Sequence, residues 1–129
     1  MLSSAKKRYL LAAYELADDI SKGVRSKDIA DRLCVQRPSA SKMIHALCEE
    51  GLFDKEYYGK VHFTPEGLRY ANRLYTDYLL LFEYFDGKLS LQEQNARRDA
   101  VTCLCDLSEE GRQSIISLVL SQQIANKSE

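Results

Sequence analysis

Arg37, Pro38, Ser39, Ser41, Lys42 and His45 crowd two cations, two short hydroxyls and an imidazole into little more than two helical turns. Guanidinium and ammonium groups neutralise phosphates, while hydroxyl, imidazole and guanidinium groups bond base edges. Small residues at a helix start also let the helix approach a groove closely. Lys27 upstream and Lys55, Tyr57, Tyr58 and Lys60 downstream extend the same chemistry. Taken singly, each residue reads as well as a solvated charge or a capping group. Their order along the chain points to nucleic acid.

A second set is sulfur-based. Cys103 and Cys105, with Asp99, Asp106 or Glu109, could supply a thiolate-rich site for Zn²⁺ or another thiophilic divalent transition metal. Residues two apart on a helix point about 200° from one another, so both thiols reach one ion only where the helix ends or kinks. The competing reading is two small thiols packed between helices. His45 and His62 read as DNA-facing or surface residues rather than ligands. Chemistry of a third kind is not encoded: no nucleotide-binding glycine motif, HExxH, Gly-x-Ser-x-Gly or Cys-His pairing occurs, so the chain is not read as an enzyme.

The elements that must position these groups follow from periodicity. Tyr9, Leu10, Ala13, Leu16, Ala17 and Ile20 recur on one face and predict a first helix from Ser4 to about Ser21. Ser26 is expected to cap a second helix through Leu33, and Pro38 to open a third that stops near Glu50, before Gly51. Leu52–Tyr57 and Lys60–Thr64 flank Tyr58-Gly59 and predict a two-stranded hairpin. Thr64-Pro65-Glu66 starts a long fourth helix to about Asp86, with Gly87 as its stop. Ser90-Leu-Gln-Glu93 reads as a capping box for a fifth helix to Asp106, and Ser108 opens a sixth. The fold class is mainly α with a small β-hairpin.

The whole chain of 129 residues carries 18 Lys+Arg against 19 Asp+Glu, a near-neutral total that by itself argues against nucleic acid. By region the balance is polarised: residues 1–73 hold 13 cations and 10 acids, and residues 74–129 hold 5 and 9. Within Lys22–Lys42 six cations face two acids, which suits a local phosphate-binding surface. The longest apolar stretch, Tyr78–Phe85, is far short of the roughly 20 residues of a membrane span. No membrane role is expected. With no export signal read at the N-terminus, the protein is expected to be cytoplasmic and its four cysteines reduced.

Helix, turn, polar-fronted helix and hairpin in that order are the winged helix-turn-helix plan. The runs Ser26–Leu33, Val35–Ile44, Glu50-Gly-Leu52 and Tyr58–Gly67 resemble the diphtheria-toxin-repressor and manganese-transport-regulator (DtxR/MntR) family of metal-dependent regulators. The resemblance implies a winged helix-turn-helix DNA-binding domain over residues 1–73 and a helical dimerisation domain over 74–129. It implies a homodimer that binds double-stranded DNA at a palindromic operator, under control of a divalent transition metal. The ligand positions it implies fall on Arg8 and Leu11 in the first helix, Tyr78 in the fourth, and Val101, Leu104 and Cys105 in the fifth. Most of these lack a donor, so the metal response is expected to be altered or lost. Tyr78, Leu79, Phe82 and Phe85 are the expected dimerisation residues, with a monomer covered by its own sixth helix as the alternative. Other readings of the same pattern are a winged helix that docks on protein, and a MarR-type regulator without metal control.

Overall fold

The computed structural model describes residues 2–56 and 59–127. The chain divides into two compact units, Met1–Arg73 and Leu74–Glu129.

In the first unit three helices, α1 (Ser4–Leu16), α2 (Ser26–Leu33) and α3 (Arg37–Glu49), pack on a small sheet. Leu10, Ile29, Ile44 and Leu47 are wholly buried and, with Ala30 and Ala40, form the centre of this unit. The hairpin is present, as β2 (Phe53–Lys55) and β3 (Lys60–Phe63), paired antiparallel with Phe53 opposite Phe63 and Asp54 opposite His62. A third strand, β1 (Val24–Arg25), pairs with the other edge of β3, giving the order β1-β3-β2. Two residues carry no periodicity to read, so sequence pattern could not reveal β1. Phe53 and Phe63 meet edge to face at 5.3 Å and seal the sheet onto the helices.

The first helix ends at Leu16 rather than near Ser21. Asp19 folds back on the chain there: its Oδ1 accepts from the Ser21 N–H at 2.9 Å and the Ser21 hydroxyl at 2.7 Å, and a 3-10 turn over Ile20–Lys22 follows. A short acid that bonds nearby backbone competes with the helix. The same bonds hold the Asp19 carboxyl below the usual carboxylate range. Ser26 also departs from expectation. It is the first helical residue, with Arg25 in the cap position, and its hydroxyl donates instead to the Gly59 carbonyl at 3.1 Å.

The helix α4 (Pro65–Glu83) starts as its sequence predicts. Thr64 Oγ1 accepts from the Gly67 N–H at 3.0 Å and donates to the Gly51 carbonyl at 2.6 Å, joining the helix start to the end of α3. Thr64→Ala removes both bonds and is expected to destabilise this unit by about 1–2 kcal/mol. Urea unfolding checks this as a lower midpoint at unchanged slope.

In the second unit α4 ends at Glu83 and continues as a π-helical turn, Tyr84–Lys88, where a stop at Gly87 was expected. Helices α5 (Glu93–Asp106) and α6 (Glu109–Lys127) complete it. Leu81, Ala96, Ala100, Leu104 and Val119 are fully buried. The expected capping box fails. Ser90 takes a left-handed φ of 55°, and Gln92 occupies the cap position with no side-chain bond. Ser108 does cap, accepting from the Gly111 N–H at 3.0 Å.

Candidate nucleic-acid interface

The turn between α2 and α3 is built by Cys34, which adopts the left-handed conformation (φ 56°, ψ 42°) and caps α2 through its N–H to Asp31 O at 3.2 Å. Val35 N–H follows with a bond to Ala30 O at 3.0 Å. Two closing bonds of this kind end a helix sharply and fix the angle at which the next leaves. Pro38 lies in the first turn of α3, where a missing N–H costs nothing.

The helix then sorts its side chains by period. Ala40, Ile44 and Leu47 are 1% exposed or less, whereas Arg37, Pro38, Ser39, Ser41, Lys42 and His45 are all exposed. All six α3 residues singled out from the sequence therefore share the solvent side of one helix. Lys27 on α2 and Lys60 on β3 are exposed as well. Tyr58, with Tyr57, lies outside the described residues.

Ion pairs divide the local cations into two groups, a distinction hidden in the sequence. Arg25 is held by Asp28 at 2.9 Å, Arg32 by Glu15 of α1 at 2.8 Å, and Lys6 by Glu50. His45 lies 3.0 Å from Glu49 one turn on. Arg37, Lys42, Lys27, Lys22 and Lys60 make no ion pair among the described residues. Their charge is left uncompensated on the same unit, and an uncompensated cation gains most from a phosphate.

The wing is tied down at several points. Ser26 Oγ holds the Gly59 carbonyl, and Lys60 sits opposite Arg25 across β1 and β3. His62 Nε2 lies 2.6 Å from Glu56 Oε1. Neither Ser26 nor Glu56 stood out as a functional residue in the sequence, because both act through partners distant along the chain or across a turn.

The thiol pair is placed differently. Cys103 and Cys105 are both buried on α5, and burial pushes the Cys103 thiol up. Among the described residues no group of three or more His, Cys, Asp or Glu is gathered where it could hold a metal ion. Of the expected dimerisation residues, Tyr78 is 6% exposed and stacks on Phe82 at 6.1 Å, so its own chain covers it. Phe82 and Phe85 are half-buried, and Leu79 is 45% exposed. No helix among the described residues is long and apolar enough to cross a membrane.

Residues 1–61 match the family described as iron dependent repressor, N-terminal DNA binding domain. No curated protein sequence matches the chain. Among solved structures, a hypothetical protein from Sulfolobus solfataricus is 24% identical with a TM-score of 0.61, the match covering 95% of this chain and 89% of that one. A metal-dependent transcriptional regulator, MtsR, is 19% identical with a TM-score of 0.72, over 90% of this chain and 53% of its own. A manganese-dependent transcriptional repressor in complex with manganese is 23% identical with a TM-score of 0.70, over 88% and 52%. The chain thus spans about half the length of these two regulators. At such identities the likeness is one of fold: a winged helix-turn-helix unit followed by helices. The DtxR/MntR resemblance read from the sequence is borne out, and the matched family is one of transcriptional repressors, not enzymes.

Proposed function

We propose, from the premise that the first 61 residues carry the DNA-binding domain of the iron-dependent repressor family, that this protein is a cytoplasmic, homodimeric transcriptional repressor. It binds a palindromic operator with α3 in the major groove. The observation that carries this reading is the solvent face of α3, where Arg37 and Lys42 stand exposed and unpaired among the described residues beside Ser39, Ser41 and His45. Lys27, Lys60 and Tyr58 contact phosphates around it. A winged helix that docks on protein has no need of such a face, so the charges favour DNA.

Two copies are supported by the reach of one recognition helix. It reads few base pairs, whereas two related by a twofold axis read a palindrome with half-sites a helical turn apart. Leu79, Leu118, Leu120 and Ile124 are exposed apolar side chains in residues 74–129, and such groups gain from burial against a partner. Residues 1–73 act as the DNA-binding domain and residues 74–129 as the dimerisation domain, with Phe82 and Phe85 at the edge of the contact and Tyr78 supporting it from within.

The solved manganese-dependent repressor holds manganese. The residues of this chain do not fit a site of that kind. Arg8 and Leu11 bring no carboxylate, and an arginine adds the charge that a cation site must oppose. Cys103, its thiol raised by burial, is a poor source of the thiolate that a soft metal needs. Metal control is therefore altered or lost. Operator binding measured with and without a chelator is expected to agree within about twofold, well under 1 kcal/mol. Light scattering is expected to give about twice the 14.7 kDa of one chain. Loss of binding on chelation would overturn the metal reading, and a single-chain mass the dimer.

A further inference from the structure

We propose that Arg69 and Arg73, on the exposed face of α4, form a binding site for a small phosphorylated molecule, separate from the α3 face. The inference does not depend on the DNA-binding reading above.

Glu66, Arg69, Tyr70, Asn72 and Arg73 line a cleft of about 530 Å³ at the start of α4, within the size range of small-molecule sites. Spacings of three and four residues put Glu66, Arg69, Tyr70 and Arg73 on one side of the helix. Gly67 and Ala71, on the other side, are buried. Asn72 ties the helix to α1, its Oδ1 accepting from the Tyr14 hydroxyl at 2.5 Å. The cleft is thus carried on a fixed element. The Arg73 guanidinium lies over the Tyr70 ring, 5.6 Å from its centre. Stacking on an aromatic face orients the planar fork while leaving its N–H edge for a ligand.

The charges select the ligand. Two arginines four residues apart on a helix repel each other, a cost that an acid at helical spacing ordinarily offsets. Glu66 stands three residues before Arg69, yet Glu66, Arg69 and Arg73 make no ion pair among the described residues. Glu66 lies in the first turn of α4, where the partial positive charge of the helix start favours a carboxylate. The cleft therefore sets two guanidinium groups against one carboxylate, and its net charge is positive. A phosphate monoester brings close to two negative charges and three acceptor oxygens, which two guanidinium forks can hold by charge-assisted hydrogen bonds. Every lining residue belongs to α4, with none from α3 or the wing strands, so the cleft is assigned to a free phosphorylated molecule rather than to operator backbone.

The probe is inorganic phosphate, titrated into the full chain at about pH 8, where it is a dianion, with ionic strength held constant by sodium chloride. NMR follows the side-chain Nε–Hε resonances of the arginines and the backbone amides of residues 66–73. Arg69 and Arg73 are expected to shift saturably with one common midpoint, while Arg98, an exposed arginine of α5, does not follow. The amides should report binding weaker by about tenfold or more in the Arg69→Gln, Arg73→Gln double variant. Arg73→Lys keeps the charge without the fork and should bind severalfold less tightly. Glu66→Gln removes the opposing carboxylate and should bind severalfold more tightly. Affinity for a fluorescently labelled mixed-sequence duplex, read by anisotropy, should agree within about twofold between wild type and the double variant. Shifts that do not saturate, that Arg98 shares, or that persist in the double variant overturn the site. Phosphate binding indifferent to both Arg73→Lys and Glu66→Gln does the same. A duplex affinity that falls in the double variant as it does on loss of Arg37 and Lys42 gives these arginines to the DNA backbone and overturns the assignment to a small molecule. Absence of duplex binding in wild type overturns the DNA-binding reading alone, and saturable phosphate binding then still supports the cleft.

Discussion

Gly67→Ala is expected to destabilise the N-terminal unit by about 3 kcal/mol, the upper end of what overpacking a tight site costs. An added Cβ at Gly67 would lie 1.9 Å from the Leu52 carbonyl oxygen and 2.7 Å from its carbon. The obstacle is backbone, so no rotamer change relieves it. Leu52 cannot retreat freely either, because its carbonyl accepts from the Thr64 N–H at 3.1 Å and leads directly into β2. One of the two elements, α4 or the base of the wing, must move away from the other. For a unit of this size the melting temperature should fall by about 12 °C or more. Gly87→Ala is the control, since nothing lies within 4 Å of a Cβ there and its φ is not positive. Thermal unfolding followed by circular dichroism checks both. A Gly67→Ala protein as stable as wild type would show that this approach of backbone to backbone is not maintained in solution.

Removing the two unpaired cations of the α3 face, Arg37→Ala with Lys42→Ala, is expected to weaken duplex binding by about two orders of magnitude or more. Each such contact contributes about 1–3 kcal/mol when it reads a base or neutralises a phosphate. Stability should change little, because both side chains are exposed and neither has an ion-pair partner among the described residues to leave behind. Arg25→Ala and Arg32→Ala make the informative comparison. Their charges already face Asp28 and Glu15, so losing them removes less free positive potential and should cost binding less. Arg32→Ala should instead loosen the α1 to α2 contact. If all four substitutions weaken binding alike, the division into paired and unpaired cations does not govern recognition.

How legible the fold was depended on the length of each signal. The helices α2 and α3 announce themselves through buried residues at helical spacing, and the start of α4 through Thr64-Pro65-Glu66, because these signals span several residues and act locally. What escaped was decided by short or distant partners. Ser26 resembles a cap in every sequence-level respect, yet its hydroxyl is drawn to Gly59, 33 residues away. Ser90 and Glu93 have capping-box spacing, but a left-handed backbone at Ser90 puts the helix start at Gln92 instead. Asp19 ended α1 early through bonds of its own. The role of Gly67 could not be read at all, since it depends on where Leu52 passes.

The candidate site follows the same division. That Arg37, Ser39, Ser41, Lys42 and His45 would share one exposed face is a consequence of helical period over Ala40, Ile44 and Leu47, and so could be read from the sequence. Which cations remain available could not, because the partner of Arg32 lies 17 residues back, on α1. The near-neutral total charge concealed this twice, first by averaging two oppositely charged halves and then by counting paired and unpaired cations alike.

The most direct measurement of the central claim, that α3 and the wing bind the phosphate backbone and bases of duplex DNA, is the salt dependence of duplex affinity for wild type beside the Arg37→Ala, Lys42→Ala double variant. The wild-type logarithm of affinity is predicted to fall linearly and steeply with the logarithm of salt concentration. The double variant should show a shallower slope, by about two for each copy bound if both cations contact phosphate. A flat wild-type response, or equal slopes and affinities in the two proteins, would contradict the account.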